Sequence, residues 1–132
     1  MLAIAAAALA EHLNSMPDCP DVAWEDYPFE PTQGEIYLSE VLSPGEPMPL
    51  MLEGGYAEYT GIYGVNVYYP KGKTKFPSIR MQEKVKEHFE RGTVLVKDGL
   101  EITIHKVELK QPVMGDGAFN FRPVIIYYRY YG

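Results

Sequence analysis

The sequence predicts an α+β fold: a mainly antiparallel, mixed β-sheet with two helices packed on it, in the order α-β-β-β-α-β-β-β. Three observations point there. Eleven tyrosines lie among many β-branched residues in a chain of 132, a composition that favours strands. Eleven prolines and twelve glycines cut the chain into short segments. Only two segments, one at the start and one in the middle, carry apolar residues at helical spacing. The length suits one domain over residues 1–132, with a long loop at 43–58.

Met1 to Asn14 reads as a helix because it is built on alanine, the strongest helix former. Leu2, Ala6, Leu9 and Leu13 recur on one face, and Pro17 and Pro20 end the run. The apolar stretch from Leu2 to Ala10 has the look of a signal-peptide core. No positive residue precedes it and it is too short to span a bilayer, so the helix reading is preferred. Val22 to Glu25 is a short strand, followed by a turn-rich link marked by Pro28, Pro31 and Gly34. Glu35 to Leu42 alternates, with Ile36, Leu38 and Leu42 on one side, as a half-buried strand requires.

Ser43 to Gly55 is the least regular stretch, holding three prolines and three glycines together with Met48, Leu50, Met51 and Leu52. A loop this long in a compact domain is usually functional or disordered, and its apolar content argues against simple solvation. Tyr59 to Tyr69 is the strongest strand, with Tyr59, Tyr63, Val65, Val67 and Tyr69 on one face. Ser78 to Arg91 is the second helix, opened by Pro77 and closed by Gly92. Met81, Val85, His88 and Phe89 form its apolar stripe. Thr93 to Lys97 and Leu100 to Leu109 form a hairpin through Asp98-Gly99, and Arg122 to Tyr131 is the last strand.

Composition excludes several function classes. Hydrophobic residues at 46% and charged residues at 23% exclude disorder for most of the chain. A net charge of −6 argues against non-specific nucleic-acid binding. Residues 1–70 hold eleven acids and no Lys or Arg, whereas residues 71–132 hold twelve basic and seven acidic residues. Such a split either cancels inside one fold or marks two unlike faces suited to head-to-tail contact. The single cysteine, Cys19, cannot form an internal disulfide, which fits a reducing compartment.

No catalytic set stands out. His12, His88 and His105 form no His-x-x-x-His pair, and the sequence has no nucleophile elbow, phosphate loop or dinucleotide fingerprint. Glu25, Asp26 and Glu30 are acids on a proline-rich link, which usually only solvate. The expectation is no enzyme activity, no cofactor and no metal. What remains is surface suited to protein contact. Tyr127, Tyr128, Tyr130 and Tyr131 crowd one strand, and both of its faces cannot be solvent without exposing unusual aromatic area. The candidate interface is therefore Met48, Leu50, Met51, Leu52, Tyr56, Tyr128, Tyr130 and Tyr131.

Several strings carry a resemblance. Trp24-Glu25-Asp26-Tyr27-Pro28-Phe29-Glu30-Pro31 precedes a Tyr37-Leu38 strand and a Pro-rich loop ending in Gly54-Gly55. Tyr59-Thr60-Gly61-Ile62-Tyr63-Gly64-Val65-Asn66-Val67-Tyr68-Tyr69-Pro70 then leads into a helix closed by Phe89-Glu90-Arg91-Gly92-Thr93. Arg122-Pro123-Val124-Ile125-Ile126 runs into the last strand. Over nearly its whole length the chain resembles the tail terminator, or tail-completion, proteins of long-tailed bacteriophages.

The resemblance implies a structural virion protein, assembled in the host cytoplasm, that closes into a ring, commonly a hexamer. Such a ring caps the head-proximal end of the tail tube. Its partners would be further copies of itself, the major tail tube protein and a head-completion or connector protein, with DNA only in transit and no membrane. A lumen that passes DNA must not hold it, so acids such as Glu46, Glu53 and Glu58 are expected nearer the channel than Lys71, Lys73 and Lys75. Two other readings stay open: another phage neck or adaptor protein, or a monomeric module binding a small ligand on the Tyr-rich sheet.

Overall fold

The computed structural model describes residues 1–50 and 56–132. Two helices, α1 (Leu2–Asn14) and α2 (Phe76–His88), pack on a curled mixed sheet of seven strands. The strands are β1 (Val22–Ala23), β2 (Tyr37–Pro44), β3 (Met48–Pro49), β4 (Ala57–Pro70), β5 (Val94–Lys97), β6 (Leu100–Leu109) and β7 (Phe119–Tyr131). They lie in the order β1-β2-β4-β7-β6-β5, with β3 also paired to β4. Among the described residues β1 and β2 alone run parallel, and the other pairings are antiparallel.

The sheet is built around β4 and β7, paired from Glu58↔Tyr131 to Pro70↔Phe119. Alternation sends the odd residues of β4 and the even residues of β7 to the helix side. Tyr63, Val65, Val67, Val124, Ile126, Tyr128 and Tyr130 are all buried there. Gly61 stands opposite Tyr128 in this layer, and a Cβ at residue 61 would lie 2.7 Å from Cζ of that ring. Glycine at this point is therefore a packing requirement: it leaves the space the tyrosine occupies.

The helices complete the core. α1 buries Ala5, Ala8, Leu9 and Leu13, while Leu2 remains 41% exposed. The buried face is thus turned from the expected Leu2-Ala6-Leu9-Leu13 line, because alanine offers no bulk to fix the rotation. α2 begins two residues before the expected start, with Pro77 in its first turn, and buries Val85; Phe89, its C-cap, is also fully buried. It also buries two polar residues that the apolar stripe does not predict. Gln82 donates to the carbonyls of Lys110 (3.1 Å) and Pro123 (3.0 Å), clamping the end of β6 to β7. Ser78 donates to Lys75 O and accepts from Arg122 Nε. Buried polar groups survive only when partnered in this way.

The two helices meet at their C-termini through His12 and His88. The rings stack with centroids 4.0 Å apart, and each Nε2 bonds the other residue's carbonyl, at 2.6 and 2.5 Å. Burial lowers the pKa of His12, so the neutral ring is favoured in this clasp. The Asp98-Gly99 hairpin is present, with positive φ at both residues.

The expected loop at 43–58 is the main departure. β2 continues to Pro44, Gly45 N–H donates to Thr60 O at 2.8 Å, and β3 pairs through Met48↔Glu58 and Pro49↔Ala57. Prolines at 44, 47 and 49 mask strand character in the sequence, because Pro normally marks edges and turns. Here they lie on an edge, where their missing N–H groups are tolerated. Residues 37–49 and 57–70 thus pair as one long bulged antiparallel ladder, and the part where β3 meets the start of β4 is termed the arm.

Candidate protein-docking interface

The arm end is set by backbone pairing. Leu50 N–H donates to Tyr56 O at 3.1 Å, and Ala57 exchanges two bonds with Gly132, at 2.9 and 3.1 Å. β3, the start of β4 and the end of β7 therefore stand side by side. The chain start closes the group, since Met1 lies directly beside Gly132.

Among the described residues, large apolar side chains crowd this end and stand exposed. Met48 is 62% exposed, Met1 50%, Tyr56 48%, Leu50 47%, and Leu2 and Tyr131 41% each. The rings of Tyr56 and Tyr131 stack with centroids 6.4 Å apart. Between the start of α1 and the arm lies a cleft of about 280 Å³, lined by Met1, Pro44, Pro47, Tyr59, Tyr128 and Tyr130 among others. Clustered exposed apolar side chains of this kind mark contact surfaces, whereas scattered ones are ordinary.

The predicted interface residues divide. Met48, Leu50, Tyr56 and Tyr131 are brought together at the arm end. Met51 and Leu52 lie outside the described residues. Tyr128 and Tyr130 are only 1% and 3% exposed, because alternation turns them under the helices. Their side chains belong to the core of the subunit. Burial pushes the Tyr128 hydroxyl up to about 12, and among the described residues that oxygen has no hydrogen-bond partner. Met1 and Leu2 join the surface without any signal in the sequence, since their neighbours come from the far end of the chain.

Of the acids expected near a channel, Glu46 is exposed on the arm and Glu58 is half-buried beside Tyr131. Glu53 lies outside the described residues. Lys71, Lys73 and Lys75 sit at the opposite end of β4, just past Pro70. Lys71 donates to Gly115 O at 2.6 Å, and Lys75 lies over the Phe76 ring. Among the described residues none of the three lysines forms an ion pair.

The remaining polar groups have structural partners. The Glu25 carboxylate accepts from Leu42 N–H and its own N–H donates to Glu40, both at 3.1 Å, sealing the edge of β2 that short β1 leaves open. On the uncovered sheet face the Tyr127 hydroxyl and the Lys110 and Lys106 ammonium groups hold Glu108 down to about 2. Among the described residues no three His, Cys, Asp or Glu side chains come together as metal ligands would. No helix among them is long and apolar enough to cross a membrane.

Comparison with known proteins gives the family. Five chains of known structure match. One of them, at 24% sequence identity, covers 98% of this chain and 95% of its own with a TM-score of 0.78, and that likeness supports the fold. No curated protein matches the sequence. A family model described as phage tail terminator protein matches residues 3–128. The chain belongs to the phage tail terminator family.

Proposed function

We propose that the chain is a structural virion protein that closes into a ring, six copies being the expected number. The ring caps the head-proximal end of the tail tube and joins it to the head-completion complex. DNA crosses the lumen without being read. Family membership supports a tail component that meets other tail and head proteins. The observation that carries the reading is the uncovered apolar end of the subunit. Six large side chains between 41% and 62% exposed gather at the arm end, from the arm itself, the start of α1 and the end of β7, which is costly in a free monomer and useful at a contact.

A ring needs no catalytic centre. It needs two unlike flanks that meet around a closed rotation, and two axial faces. The acid-rich first half and the base-rich second half of the chain supply unlike surfaces. For the lumen, Glu46 and Glu58 are proposed nearer the channel than Lys71, Lys73 and Lys75, so that DNA meets repulsion.

The test is light scattering and negative-stain imaging of the purified protein, alone and with its tube protein. The expected result is a closed ring, free or at tube ends. Two-fold dimers under both conditions overturn the reading. A strict monomer that binds a small ligand on the Tyr-rich sheet favours the binding-module alternative instead.

A further inference from the structure

We propose that the arm end of one copy plugs into the cleft lined by Lys73 at the far end of the next, and that this contact closes the ring. The inference rests on the ring reading above and names the two surfaces that reading leaves open.

The socket is a cleft of about 370 Å³, a size on the scale of sites that hold small ligands. Ile36, Tyr69, Pro70 and Pro77 give it apolar walls. Lys73 lines it, and Lys71 and Lys75 flank it in sequence. All three lysines are exposed, and among the described residues none is in an ion pair. Glu35 also lines the cleft. That carboxylate disfavours a nucleic-acid backbone, which presents an unbroken row of phosphates, but tolerates a protein segment that sets an apolar side chain beside it.

The plug has the matching chemistry. Met48 and Leu50 are exposed apolar side chains, and Glu46 and Glu58 are the flanking carboxylates. Residues 1–70 contribute no Lys or Arg to compete for them. Plug and socket stand at opposite ends of the fourteen-residue β4, roughly 45 Å apart along an extended strand. Two different patches that far apart on one subunit cannot satisfy each other within it. They make a heterologous contact, which propagates in one direction and closes when the rotation allows. In that contact the acids of one copy stand between the lysines of the next and the channel, which keeps the ammonium groups away from passing DNA.

The experiment uses the full chain in two charge-reversed forms, Lys71→Glu/Lys73→Glu/Lys75→Glu and Glu46→Lys/Glu58→Lys. Ring formation is read by light scattering, alone and on tube ends, and circular dichroism confirms folding. Each variant alone is expected to lose the ring. An equimolar mixture is expected to regain it, since every plug again meets a socket of opposite sign. Because Glu58 is half-buried, Met48→Asp on the 62% exposed methionine serves as a second disruption of the plug and should also abolish the ring. A wild-type ring that survives all three changes overturns this contact and leaves the ring reading standing. A wild-type chain that stays monomeric both free and on tube ends overturns both.

Discussion

Within the core, tyrosine rings of β7 lie buried on the helix side of the sheet; at the arm end, the last tyrosine of the same strand is partly exposed beside Tyr56. Tyr128 and Tyr130 are buried, yet Tyr131 next to them is 41% exposed and stacks on Tyr56, itself 48% exposed. Residue type is constant between the two regions. What differs is the pleat and the cover: even residues of β7 face the helix side, odd residues face away, and only the first residues of α1 approach the arm. One region forms the core of the subunit, and the other leaves large apolar side chains exposed.

The largest effect belongs to the sealed region. Phe89, fully buried, lies edge-on to His12 and tilted against Tyr63, so Phe89→Ala should cost about 3–5 kcal/mol in a urea melt. A loss under about 1 kcal/mol would mean that the helices are not the lid of the core.

An intermediate effect comes from the histidine clasp. The pKa of His12 is lowered on folding, so its neutral ring contributes stability above the usual histidine value of about 6.5. That contribution is lost as pH falls through about 6.5, because the unfolded chain takes up the proton first. Thermal melts at pH 7.5 and 5.5 should show a drop for the wild type that shrinks in His12→Gln. An equal drop in both would place the pH sensitivity elsewhere.

The smallest effect on stability, and the largest on assembly, belongs to the arm. Met48→Ser with Leu50→Ser removes only exposed side chains, so the melt should move by about 0.5 kcal/mol or less. Tail completion scored by imaging should nevertheless fail. A collapsed monomer would show that the arm is part of the core, and the contrast between the two regions would disappear.

Much of the fold is legible in the sequence because period and punctuation agree. β4 alternates cleanly, Asp98-Gly99 dictates its hairpin, and Pro77 opens α2. The arm is not legible, since its prolines imitate a loop and its pairing depends on Gly45 meeting Thr60. The site is legible as residue types and only partly as places. Met48, Leu50, Tyr56 and Tyr131 gather at one end, whereas Tyr128 and Tyr130 turn inward by a parity that the strand shares equally between its faces. Which face a lid will cover is decided by segments remote in sequence. The reciprocal bonds of His12 and His88, 76 residues apart, show no local pattern at all.

That clasp has a consequence for how the chain is born. α1 precedes its partners in the chain, since β5, β6 and the end of α2 follow many tens of residues later. Until they arrive, α1 must wait without a surface to cover. A helix faced with leucine throughout would be sticky during that wait. One built on alanine forms its backbone bonds locally and exposes little apolar area, so it can idle safely. Its docking closes contacts across most of the chain, and long-range closures of this kind slow folding.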